Sequence, residues 1–215
     1  MLENLLKKIN EYVDAHKSLD KELHDQDETN RAWYNDSKRF EKLAALKKVH
    51  YDYCKLLNEK YKNEVINIFE EAFKQIRAVP MIPIDQGMFN NFSWIEKMSS
   101  ISKEEVKSLY EATKNNYLAN KKVYDFLMAK GNHEDALMKY LNYLQDKDVS
   151  EMFFISVDSM ISCVEELKDY IMNNIFANSN MDFSNIGYHT ANVLNGEYIH
   201  DVKRQGDIFI TRYQK

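Results

Sequence analysis

Residues 31–79 read RAWYNDSKRFEKLAALKKVHYDYCKLLNEKYKNEVINIFEEAFKQIRAV, a run without a glycine or a proline. Within it Trp33, Phe40, Leu43, Leu46, His50, Tyr53, Leu57, Tyr61, Val65, Ile68, Ala72, Ile76 and Val79 recur at helical spacing, which places them on one stripe of an α-helix. Lys48, Lys55 and Lys62 return every seven residues between Asp52 and Glu59, as a solvated face does. A helix of this length would run roughly 70 Å, about twice the diameter of a small domain. Other helices or a second subunit must therefore lie along it.

Upstream, Leu2, Leu5, Ile9, Tyr12, His16, Leu19 and Leu23 alternate steps of three and four, the seam of a coiled coil, so this first helix also needs a partner. Apolar periodicity lapses over residues 24–30, where Asp27, Thr29 and Asn30 can each act as an N-cap. The expectation is a turn there, with the first helix folding back along the second. One continuous helix is the alternative.

Downstream, Pro80 and Pro83 end the long helix, since neither can donate the backbone hydrogen bond and each biases its predecessor away from helical dihedrals. The connection over residues 80–92 is unusually apolar for a loop. Met81, Ile82, Ile84, Met88, Phe89 and Phe92, with Trp94 beyond, are either tucked across the helices or held ready for a partner. Ser93 with Glu96, and Ser102 with Glu105, match the capping box; a short turn holding Trp94, Ile95 and Met98 should precede a helix over residues 102–130. Gly131 sits where a C′ glycine belongs, Asn132 caps a shorter helix, and apolar spacing predicts another helix over residues 150–177.

After residue 178 the texture changes. Asn195-Gly196 is a type I′ hairpin dipeptide and Arg204-Gln205-Gly206 suits a three-residue hairpin loop, so residues 188–194, 197–202 and 207–213 are expected as three strands. Pairing from these turns would put His189, Ala191, Val193, Tyr198, His200, Val202, Ile208, Ile210 and Arg212 on one face, packed on the helices. The expected fold is mainly α: an elongated helical bundle or coiled-coil hairpin with a small C-terminal three-stranded antiparallel β meander. Its parts would be a helical hairpin over residues 1–79, an apolar connection and short turn over 80–101, a bundle segment over 102–178 and the β appendage over 179–215.

Composition bounds the function. The 215 residues suffice for one or two domains with a real core. No run approaches the length of apolar sequence that crosses a bilayer, and acids throughout residues 1–25 argue against a signal peptide, so a cytoplasmic protein is expected. The net charge of −5 disfavours non-specific binding to nucleic acid or acidic lipid. Cys54 and Cys163 fall on or beside apolar stripes and read as reduced thiols. Lysine well in excess of arginine, with abundant Asn, Tyr, Ile and Phe, hints at an AT-rich coding genome of the low-GC bacterial or phage kind.

Motifs that carry chemistry are missing: no glycine-rich phosphate loop, no nucleophile elbow, no zinc spacing of Cys and His. His16, Asp20 and His24 are spaced by four, yet a bundle metal site draws ligands from facing helices through Glu-x-x-His units, and neither His16 nor His24 belongs to one. Glu166 and Asp169 form one E-x-x-D, but residues 132–150 hold no matching E-x-x-E, which magnesium-dependent nucleotide hydrolysis on helices needs. His189 and His200, as diagonal neighbours on the expected sheet, are the remaining titratable pair. No catalytic residue, metal or cofactor is assigned. Lys38, Arg39, Lys42, Lys47 and Lys48 make a basic patch beside Trp33, Tyr34 and Phe40, with Asp36 and Glu41 interspersed as on a solvated face.

The expected function is that of a non-enzymatic interaction or assembly protein. It would bind a protein partner or itself, as a homo-oligomer, through its long helices and the apolar connection. The alternatives are an enzyme of the metal-dependent nucleotide-hydrolysis class with a site assembled from distant residues, or a weak nucleic-acid binder acting through the basic patch.

Overall fold

The computed structural model describes residues 1–84, 86–87, 92, 101–130, 154–177, 190 and 196–213, with the backbone alone at 130, 208 and 211. Its helices are α1 (Leu2–Trp33), α2 (Asp36–Ala78) followed by a 3-10 turn (Val79–Met81), α3 (Lys103–Thr113), α4 (Tyr117–Lys130), α5 (Val157–Ile171) running into a π-type turn (Met172–Phe176), and α6 (Glu197–Tyr213). The chain divides into two compact units, one of Met1–Ala72 with Glu165–His200 and the other of Phe73–Val164 with Asp201–Lys215.

In the first unit α1 and α2 are antiparallel neighbours. Their ties run in reverse order along the two helices: Arg39 to Asp27, His50 to Asp20, Tyr12 to Tyr61 and Lys8 to Glu64. The turn between them comes later than the capping residues suggested. Residues 24–30 stay helical, with Gln26 donating to Glu22 and Arg31 pairing with Glu28 along α1, and the Thr29 hydroxyl is turned back onto the Asp25 carbonyl and so caps nothing. The chain reverses instead at Tyr34, which is extended, and Asn35, whose side-chain oxygen accepts the Lys38 backbone N–H and so begins α2.

Burial in this unit is concentrated at one end of the hairpin. Leu5, Ile9, Tyr12, Val13 and His16 of α1 meet Cys54, Asn58, Tyr61, Val65, Phe69 and Ala72 of α2 as buried positions. The third layer there is the end of α5 and its π-type turn. The Phe176 ring lies 5.1 Å from that of Tyr12, its carbonyl accepts from Asn58 Nδ2, and Ile171 and Ile175 are fully enclosed. Beyond His16 on α1, and before Cys54 on α2, no residue is buried. Trp33, Phe40 and Tyr53 of the expected core stripe are therefore exposed, whereas Phe69 belongs to the core. A stripe marks what a helix can bury; covering it needs another element.

In the second unit Phe92, Val106, Tyr110, Ala119, Val123 and Leu127 form a core. The capping box expected at Ser102 and Glu105 starts α3. One expected helix over residues 102–130 is two, because Asn116 accepts the Ala119 backbone N–H and caps α4 anew; its amide also donates to the Pro83 carbonyl. Ser156 caps α5 in the same way, so that helix starts several residues later than its apolar spacing implied.

The expected β meander is overturned. Residues 197–213, read as a strand, a turn and a strand, are the single helix α6, and no described residue lies in a strand. The buried positions Ile199, Val202, Gly206, Phe209 and Tyr213 advance by three and four, so a helical period competes with the alternation of Tyr198, His200 and Val202 and wins. Gly206 is not a turn residue: it lies inside α6, where a Cβ would stand 3.6 Å from the Met160 methyl. Gly196 accepts the Ile199 N–H at the start of the helix. The expected first strand, apart from helical Thr190, lies outside the described residues, as do the helix expected from Asn132 and the short turn at Trp94.

Candidate interaction surface of the helical hairpin

The part of the hairpin built from residues 17–33 of α1 and 36–53 of α2 is a two-helix arm with no third layer among the described residues. On α2, Val49, Tyr53 and, one turn further, Leu56 step by four and three on one face and are 52, 54 and 61 % exposed. Between the helices on this face runs a shallow groove lined by Leu19, Glu22, Leu23, Gln26, Leu46, Val49, His50 and Tyr53. Toward the tip, the Lys38 and Lys42 ammonium groups stand 5.6 and 6.0 Å from the Tyr34 ring centre. Trp33, at the tip itself, is 79 % exposed.

Where the arm meets the buried end, four groups with chemical potential come together. Asp20 Oδ1 lies 2.9 Å from His50 Nε2 across the two helices. The Cys54 sulfur is 3.7 and 3.9 Å from the two nitrogens of the same ring. Being almost equidistant from both, it lies along the lone-pair axis of neither, so His50 is not placed to take its proton. Burial, and then the Asp20 charge, push the Cys54 thiol up, which keeps it protonated. His16 packs edge-on against Tyr12 with centroids 4.6 Å apart, and its Nε2 has no hydrogen-bond partner among the described residues. Burial holds its pKa below the ordinary value, the nearby His50 lowers it further, and Asp20 opposes both. The cluster is a thiol–imidazole–carboxylate set without nucleophile geometry, and among the described residues no group of three or more His, Cys, Asp or Glu is placed to hold a metal.

The residues singled out from sequence are dispersed. Of the apolar connection, Phe92 is in the core of the second unit and Ile84 packs against it, while Met81 and Ile82 are exposed; Met88, Phe89 and Trp94 lie outside the described residues. Glu166 and Asp169 are exposed on α5, His200 is exposed on α6, and His189 lies outside the described residues. Of the basic patch, Lys38, Lys42, Lys47 and Lys48 are exposed, but Arg39 is committed to Asp27. Sequence reading missed the arm face because Val49 and Leu56 fall off the main stripe. Their spacing with Tyr53 was the available signal.

Among the described residues no helix is long and apolar enough to cross a membrane. No protein-family model, curated protein or solved structure matches this chain.

Proposed function

We propose that the chain is a helical interaction or assembly protein without enzymatic activity, and that the hairpin arm is its docking surface. The observation that carries this is the face of Val49, Tyr53 and Leu56, three large apolar side chains in helical register and all more than half exposed. Contiguous exposed apolar faces rimmed by charge mark binding sites, and aromatic anchors supply much of the binding energy at interfaces. The basic and acidic groups around the groove would set orientation.

The experiment is affinity capture with the wild-type chain and with a Val49→Glu/Tyr53→Glu variant whose circular dichroism matches it. Partners retained by the wild type and lost by the variant support the reading. Identical capture by both refutes it.

A further inference from the structure

Resting on that reading and naming its occupant, we propose that the arm face is covered by a second copy of this chain, paired about a two-fold axis that runs along the hairpin. The arm would thereby complete a four-helix bundle.

The charges of the arm supply the reason. Residues 17–33 of α1 carry five acids and three bases, while residues 36–56 of α2 carry six bases and three acids. The arm is thus polar from side to side, acidic along α1 and basic along α2. Around the groove the same division holds: Glu22 stands on the α1 edge, and Lys42 lies one heptad before Val49 on the α2 stripe. Two hairpins brought face to face about a two-fold axis can meet in two ways. With the axis across the helices, α1 lies over α1 and α2 over α2, and like charges confront each other. With the axis along the helices, α1 of each copy lies over α2 of the other, and unlike charges meet along both edges. Like charges placed opposite each other cost association energy, so the second arrangement is selected.

This axis also keeps each residue level with its counterpart. The tips of both hairpins then lie at the same end. The ties between Asp27 and Arg39 and between Asp20 and His50 fix the register within each hairpin. Asp25 therefore lies at the height of Lys42 of the other copy, which stands on the stripe that leads to Val49. Val49, Tyr53 and the groove-lining Leu19, Leu23 and Leu46 fill the middle, as the interior of a bundle requires. A surface that is complementary to itself closes as a dimer, the commonest oligomer.

The test uses light scattering on the full chain, whose mass is 25.5 kDa. The wild type is expected to run as a dimer that dissociates on dilution, and Val49→Glu/Tyr53→Glu as a folded monomer. Two charge variants decide the orientation: Glu22→Lys/Asp25→Lys, and Lys38→Glu/Lys42→Glu. Each alone is expected to dimerise at least tenfold more weakly, and an equal mixture of the two to recover a heterodimer, because both edges then join unlike charges again. A wild-type chain that stays monomeric at high micromolar concentration overturns the second-copy assignment; partner capture that still depends on Val49 and Tyr53 would then leave the docking reading standing. Charge variants that dimerise as the wild type does, or whose mixture gains nothing, overturn the axis and its pairing.

Discussion

The Arg39 guanidinium grips the Asp27 carboxylate with two hydrogen bonds, Nη2 to Oδ2 at 2.8 Å and Nε to Oδ1 at 3.3 Å, and so ties α2 to α1 one turn and more from the reversal at Tyr34 and Asn35. Paired forks of this kind fix geometry as well as charge. The guanidinium beside Asp27 holds its carboxyl below the ordinary range. Arg39→Ala should loosen the tip while leaving the buried end intact. Amide exchange should then quicken over residues 24–40 and stay unchanged around Val65 and Phe69. Lowering the pH through the Asp27 transition should do the same to the wild type, because a carboxylate with a depressed pKa contributes above its unfolded value and ceases to contribute once protonated.

His16 predicts an acid sensitivity of its own. Burial lowers its pKa below the 6.5 of a free imidazole, so the folded state holds it neutral and the unfolded chain takes up the proton first. Its contribution is complete above pH 6.5 and is lost as pH falls through the depressed folded value. Thermal melting between pH 8 and 5 should show a falling Tm, and His16→Leu should flatten that fall. An equal slope in wild type and variant would remove His16 as the cause.

Gly206 offers a test of the helical C-terminal segment. In a hairpin turn with a left-handed backbone, alanine there would be strained; inside α6 it relieves the entropic penalty of a mid-helix glycine. The new methyl would meet Met160 at an ordinary van der Waals distance, 3.6 Å. Gly206→Ala should therefore stabilise the protein by about 0.5–1 kcal/mol in denaturant titration. Destabilisation by that substitution would contradict the helix.

Asn120 is fully buried in α4 and donates from Nδ2 to the Tyr213 hydroxyl of α6 at 2.8 Å. Asn120→Ala should cost about 1–3 kcal/mol, the range for leaving a buried polar group without its partner. Burial already raises the Tyr213 pKa, and the Asn120 hydrogen bond works against that rise by favouring the phenolate. Its removal should move the Tyr213 ionisation still higher in an ultraviolet titration, whereas Phe209→Ala would lower stability by about 3–5 kcal/mol through packing alone.

How far the fold could be read in advance differs from element to element. The long helix was legible because a run free of glycine and proline, with apolar residues at helical spacing, has few other ways to satisfy its backbone. The Ser102 and Glu105 cap was legible for the same local reason. The reversal at Asn35 was not, since residues 24–30 held equally good caps, yet α1 continues through them. Residues 197–213 offered both periods at once, and two glycine-bearing dipeptides tipped the reading toward strands. Burial of Ile199, Val202 and Phe209 on one helical face tipped the chain the other way.

The arm face was illegible for a different reason. Periodicity showed that Trp33, Phe40 and Tyr53 could be buried, and whether they are depends on where the end of α5 lies; it reaches Tyr12 and Asn58. Sequence alone determined that this chain is mainly helical, that α2 is long and amphipathic, and where α3 begins, because those follow from bonds and side chains within a few residues of each other. Only the tertiary structure decided which parts of those helices are covered, which apolar residues are left in water, and that the C-terminal segment is a helix. Each of these depends on surfaces supplied by residues distant in sequence, such as Phe176 against Tyr12 and Asn58, or Met160 and Asn120 against α6, and no local spacing encodes them.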